Sequence, residues 1–216
     1  MGGRPVGGGA VDGEPVDGGP CAVRVRRYRA PVNPTARCPL LFLDVDGPLI
    51  PFGASAHPYP TYEAGPESPG IGANPLLTRI DPRHGPRLGA LPCELVWATT
   101  WMEDANTWIA PRIGLPPLEV VRWPEPAEGD GSRGNGEEDE DERNGLHWKT
   151  RVLVARAAGR PFVWVDDEIT GTDRVWVSAH HPGAALLHRV DPRWGLTDSD
   201  YAAIDAWLRR GHDGFR

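Results

Sequence analysis

Lysine is almost missing from this 216-residue chain: of its 23 lysines and arginines, only Lys149 is a lysine. The surrounding wealth of Arg, Gly, Ala and Pro has the look of a GC-rich coding bias. Against that bias the single ammonium stands out, because a compact point charge does what a flat guanidinium fork cannot. Cysteine is scarce too. Cys21, Cys38 and Cys93 are three in number and unevenly spaced, which argues against a disulfide framework and against zinc-ligand spacing. No apolar run reaches the length of a membrane span, and the N-terminal stretch lacks the apolar region of a signal peptide. A cytoplasmic protein with no membrane partner is therefore expected. A positive excess is also lacking. The formal net charge of -7 argues against a general nucleic-acid binder with a basic face. That charge is uneven, since Glu137 to Glu142 (EEDEDE) holds six negatives and the remainder is nearly neutral.

What is present points to one α/β domain over residues 38–212. The stretch 1–37 is rich in Gly, Pro and Arg and has no apolar period, so it is expected to stay a disordered tail. Five apolar segments read as strands: 40–45, 94–98, 118–123, 162–165 and 185–190. The continuous apolar character of the first is that of a strand covered on both faces. Between them, 103–109, 148–158, 173–179 and 198–209 read as helices. Such alternation predicts a mainly parallel five-stranded sheet with helices on both faces, a three-layer α/β/α Rossmann-like fold. Two stretches fit no regular element. Residues 51–92, crowded with Pro and Gly, predict a long loop or flap, and residues 124–145 predict a disordered acidic insertion.

The chemistry-bearing residues gather at strand and helix ends. The first strand runs into Asp44-Val45-Asp46-Gly47, and ligands of parallel α/β sheets bind at the carboxyl ends of strands. Two carboxylates at i and i+2 can face one cation where the chain turns, and the glycine permits the turn. Alone, this pattern also suits a polar strand end. The second strand ends in Thr99-Thr100, hydroxyls that could bond a phosphate oxygen or simply cap a turn. Lys149 opens a helix, and the fourth strand ends in Asp166-Asp167. Each has an ordinary structural explanation, but their order along the chain, each at an element edge, is hard to obtain by accident.

This ordered set resembles the haloacid-dehalogenase-like hydrolases over residues 38–210, through Leu41 to Gly47, Thr99, Lys149 and Asp166-Asp167. The runs LDVDGPL, ELVWATTWMEDAN, HWKT and FVWVDDE are similar to small bacterial members of that superfamily related to the "Swiss Army Knife" RNA-repair group. Pro48 departs from the pattern, where many members carry Thr. The resemblance implies a Mg²⁺-dependent phosphatase. Asp44 would be the nucleophile that forms an aspartyl-phosphate, and Asp46 the general acid and base. Thr99 and Lys149 would hold the phosphoryl oxygens, with Thr100 competing for Thr99's part and Gly47 beside them. Mg²⁺ would sit among Asp44, the Val45–Asp46 backbone and Asp167, with Asp166 supporting.

The substrate is less legible. Neither irregular stretch reads as a folded cap, so an open site is expected, suited to a nucleotide or a nucleic-acid end. A small phosphorylated metabolite, or a binding module with little turnover, are the alternatives. Trp101, Trp123 and Trp148 lie on the active edge, where they could stack on a base or pack structurally. Oligomeric state leaves no trace in the sequence.

Overall fold

A computed structural model describes residues 38–53, 58–63, 74–124, 141 and 143–213. The 1–37 tail and most of the acidic insertion lie outside the described residues. The strands are β1 (Leu40–Leu43), β2 (Glu94–Trp97), β3 (Glu119–Val120), β4 (Phe162–Asp166) and β5 (Ala185–Arg189). The helices are α1 (His84–Gly89), α2 (Ala110–Ile113), α3 (Thr150–Ala157), α4 (Gly171–His180) and α5 (Asp198–Asp213). All strand pairs are parallel, in the order β3-β2-β1-β4-β5.

The sheet is built outward from β1, whose four residues LLFL are all buried. Alternation along the strand sends Leu41 and Leu43 to one face and Leu40 and Phe42 to the other. The first face packs against Leu88 of α1, Ile113 of α2 and Ile204 and Leu208 of α5. The second packs against Leu153 and Ala157 of α3 and Val177 of α4. These are the two outer layers of a three-layer α/β/α, Rossmann-like fold. Trp97 and Trp164, both fully buried, fill opposite faces.

The chain goes from β1 to β2 to β3 in one direction and then crosses to β4, on the other side of β1. The β1/β4 seam is thus where the strand order reverses, the place where the sheet opens a crevice at its carboxyl edge. Register brings the two ends level. Leu43 pairs with Val165, and the Asp44 N–H donates to Val165 O at 3.0 Å.

Three local outcomes differ from the sequence expectation. The stretch 74–92, expected within a loop, carries a 3-10 helix (Pro75–Arg79) and α1, and it buries Leu77, Ile80, Leu88 and Leu91. Its Pro and Gly are punctuation rather than disruption. Pro75 starts a helix capped by Asn74, whose Oδ1 accepts from Leu76 N–H at 3.0 Å, and Pro is well suited to a first helical position. Gly85 lies so close to Ile113 that a Cβ would fall 1.5 Å from its carbonyl oxygen. The helix expected over 103–109 is a widened π turn (Ala105–Ile109) running into α2. Pro111 has no N–H to give to Thr107, and the Ala110 N–H bonds Ala105 O instead. Finally, Cys38 is disulfide-bonded, where no disulfide framework was expected, while Cys93 is free and buried. Among the described residues no helix is long and apolar enough to cross a membrane.

Candidate active site

Lys149 reaches the β1/β4 seam and bridges its two strands. Its Nζ donates to Asp44 Oδ2 at 2.6 Å and to Asp166 Oδ2 at 2.8 Å. All three side chains are almost wholly inside the protein, with Lys149 only 2% exposed. An ammonium at that depth needs countercharge, since an isolated buried charge is costly. Burial works against the Lys149 charge, yet the two carboxylates outweigh it and raise its pKa. The chain's one lysine is therefore the centre of a buried charge cluster.

Each acid is held by further donors. Asp44 Oδ1 accepts from the Val45 N–H at 2.7 Å. Asp166 accepts from the Glu168 N–H at 2.9 Å and from Trp164 Nε1 at 3.2 Å. Asp166 is therefore held from within by three donors. Burial pushes the Asp44 carboxyl up to about 7 despite Lys149, with Asp166 adding to the rise. Burial and then the Asp166 charge lift Asp167 to about 6. Carboxylate oxygens of Asp44, Asp166 and Asp167 all lie within 4.8 Å of one another.

Gly47 is what allows Asp167 to come that close. Its φ is +81°, and a Cβ there would lie 2.5 Å from both Cγ and Oδ1 of Asp167. The turn is otherwise closed by backbone: Leu49 and Ile50 N–H both donate to Val45 O, and Gly47 N–H donates to Ile50 O. Gly47→Ala should therefore cost about 1–3 kcal/mol, from left-handed strain and the collision together. A fall in the urea midpoint beyond that of a Gly53→Ala control, which meets nothing within 4 Å, would isolate the collision.

The remaining expected residues take separate places. Thr99, fully buried, follows β2 one residue beyond Ala98, whose N–H donates to Leu43 O at 2.9 Å. This sets it beside the end of β1, and its hydroxyl accepts from the Trp101 N–H at 3.3 Å. Thr100, the next residue, is exposed. Asp46 is half-buried and stands outside the Asp44/Asp166/Asp167 group. Its Oδ2 accepts from Trp101 Nε1 at 2.9 Å, so Trp101 is an orienting donor for Asp46. Trp123 Nε1 likewise donates to Thr99 O at 3.0 Å. Trp148 is about half exposed and meets Trp123 edge to face at 4.7 Å.

Two further residues hold Lys149 in place, a task that neither one's sequence pattern had assigned to it. Asp173, fully buried, accepts from His147 N–H, Thr150 Oγ1, Thr170 N–H and Thr170 Oγ1 at 2.6–2.8 Å. Burial alone would raise its pKa, but these donors lower it. His147 and Thr150 flank Lys149, so Asp173 pins both sides of the lysine's loop to α4. The signal was there as Thr170-x-x-Asp173, a capping-box spacing whose acid proved to have a second task. Asp173→Ala should strand several buried donors and lower stability by about 3 kcal/mol. Thermal unfolding checks this, and Asp173→Asn should recover only part of the loss. His147 is the other. Its Nδ1 accepts from Lys149 N–H at 3.1 Å, which leaves the proton on Nε2 for Glu168 at 3.1 Å. With both ring nitrogens engaged, His147 is a structural brace.

The site thus combines a buried carboxylate nucleophile candidate, an ammonium against it, a second acid on a separate tether and a nearby hydroxyl. Its clustered oxygens are hard donors of the kind that hold Mg²⁺. No protein-family model, curated protein or solved structure matches this chain.

Proposed function

We propose that this chain is a Mg²⁺-dependent phosphohydrolase of the haloacid-dehalogenase-like kind, working through an aspartyl-phosphate on Asp44. The observation that carries the reading is Lys149 bridging Asp44 and Asp166 at the strand-order reversal, with Asp167 admitted by Gly47.

Asp44 Oδ attacks phosphorus, the bond from phosphorus to the leaving oxygen breaks, and Asp46 supplies that oxygen with a proton. A water then attacks the phosphorylated Asp44, Asp46 takes the water's proton, and the bond from phosphorus to Asp44 breaks to release phosphate. Asp46 can serve both halves because it is tethered by Trp101 rather than tied to Lys149. Lys149 and the Thr99 hydroxyl offset charge on the phosphoryl oxygens. Asp44 and Asp167 would hold Mg²⁺, with the Val45–Asp46 backbone completing the protein ligands and Asp166 acting through Lys149. The ion, when bound, screens the approach of a carboxylate to an anionic phosphate. The fit rests on the oxygen cluster and on the close approach of the Asp167 carboxyl to Gly47.

The substrate is a phosphorylated compound, in the fuller form of the reading a nucleotide or a nucleic-acid end, and the compartment is the cytoplasm. The test is turnover of p-nitrophenyl phosphate with and without Mg²⁺, followed by a panel of phosphorylated metabolites and RNA and DNA ends. Absence of metal-dependent turnover across the whole panel would leave a binding module instead.

The raised acids set a pH dependence. Asp44 near 7 and Asp167 near 6 take up protons as the pH falls through those values, and a proton competes with the metal for the same oxygens. The Mg²⁺ concentration for half-maximal activity should therefore rise as pH drops from 8 to 5.5, by about tenfold per unit for each proton displaced. A Mg²⁺ requirement flat across that range would remove Asp44 and Asp167 as the ligands.

A further inference from the structure

The chain carries one short pattern twice. Ile80-Asp81-Pro82-Arg83-His84-Gly85 recurs as Val190-Asp191-Pro192-Arg193-Trp194-Gly195. The two copies fold alike. In each, the aspartate accepts from the arginine's own N–H, at 2.9 Å in the first and 3.0 Å in the second. Each aspartate also takes the Nε and Nη2 edge of that arginine, with Nη2 at 2.6 Å in both. The residue after the arginine closes the turn, His84 N–H onto Asp81 O and Trp194 N–H onto Asp191 O. Each copy ends in a glycine pressed on backbone, Gly85 against Ile113 O and Gly195 against Pro48 O.

Though far apart in sequence, the two clamps line one cleft of about 760 Å³, within the roughly 300–1,000 Å³ of small-molecule sites. Exposed local ion pairs add little to stability. Their consequence here is orientation: both guanidiniums are exposed yet fixed, and Arg83 is also hydrogen-bonded to the Tyr62 side chain. Four arginines line the cleft; Arg83, Arg87 and Arg193 are paired with Asp81, Asp198 and Asp191, and Arg79 is in excess of these carboxylates, so the cleft favours an anion. Tyr59, Tyr62 and Trp194 supply flat surfaces, with Arg79 seated over the Tyr59 ring at 4.5 Å and Trp194 71% exposed. The cleft also adjoins the Asp44–Gly47 turn. Leu196 N–H bonds Pro48 O at 2.9 Å, and Arg79 Nη1 bonds Pro51 O at 2.9 Å.

We infer that this cleft is a nucleoside-phosphate subsite, in which Trp194 and the tyrosines stack the base and Arg83 and Arg193 receive a phosphate. Its role as the substrate-selecting arm of the active site rests on the phosphohydrolase reading, but its test does not. Binding is measured calorimetrically in EDTA, so neither metal nor turnover enters, with AMP and a 5′-phosphorylated single-stranded pentanucleotide as probes. Wild type should bind at least one probe saturably. Arg193→Gln and Trp194→Ala, both at exposed positions, should each weaken it by about tenfold or more at an unchanged thermal midpoint. Tighter binding of the pentanucleotide identifies a strand as the source, and tighter binding of AMP a free nucleotide. Equal affinity in wild type and both variants, or no saturable binding of either probe, overturns the inference. Binding lost in the variants of a protein that hydrolyses nothing would keep the subsite and sink the phosphohydrolase reading. Unaffected binding in an active phosphatase would do the reverse.

Discussion

Asp44→Asn should abolish Mg²⁺-dependent hydrolysis of p-nitrophenyl phosphate, lowering kcat by on the order of 10³-fold or more. The amide keeps the size of the side chain, and its oxygen can still accept one of the two bonds that Asp44 receives, from Val45 N–H or from Lys149. What it cannot do is attack phosphorus as a carboxylate or share a cation with Asp167. The loss should fall on kcat, with no matching change in the thermal midpoint large enough to explain it. Mass spectrometry of the denatured wild-type protein, quenched in acid during turnover, should show one added phosphoryl group that Asp44→Asn lacks. Residual activity within tenfold of wild type would remove Asp44 as nucleophile. Asp46→Asn provides the contrast, because it leaves the nucleophile intact and removes the proton donor. That variant should be slowed by about 10²–10⁴-fold, the usual worth of a general acid, with an added phosphoryl group still detectable.

Lys149→Met should be the most destabilising of the site variants, by about 3–5 kcal/mol near neutral pH. Methionine fills a similar volume, so the cost is electrostatic: Asp44 and Asp166 are left buried side by side with no cation between them. The sign of its pH dependence follows. The Lys149 charge now holds the Asp44 carboxyl below where burial alone would put it, so its removal raises that pKa further. An acid whose folded pKa lies above its unfolded value contributes stability below the unfolded value and loses it as pH rises through the folded one. The deficit of Lys149→Met relative to wild type should therefore be small at pH 5, where Asp44 can take a proton, and large at pH 8. Urea midpoints at the two pH values measure it, and a deficit that is constant with pH would show that the loss is one of packing. Lys149→Arg should not restore activity, since a fork of five donors cannot occupy the point between the two carboxylates that one Nζ fills.

The sequence by itself determined the sheet and most of what lies at its edge. A central parallel strand must be apolar on both faces, so Leu40–Leu43 and Phe162–Val165 are visible as unbroken runs. Polar residues directly after such runs have nowhere to go but the carboxyl edge, which exposes Asp44, Thr99 and Asp166-Asp167 to a reader of sequence alone. Lys149 stood out for a compositional reason, as the one ammonium in an arginine-rich chain. Only the tertiary structure decided how these residues divide the work. That Lys149 takes Asp44 and Asp166, 105 and 17 residues away, depends on strand order and register. So does the close approach of Asp167 to Gly47, which no local pattern encodes. Trp101 and Asp173 illustrate the same limit, because each has an ordinary local reading and acquires its task from a partner on another element. The helices at 75–79 and 84–89 were hidden for a different reason. Pro and Gly mark breaks in a sequence, and whether a break is a loose loop or a helix pressed on Ile113 depends on what packs against it. Short-range preferences are written residue by residue, whereas contacts between distant residues exist only once the sheet has set their spacing.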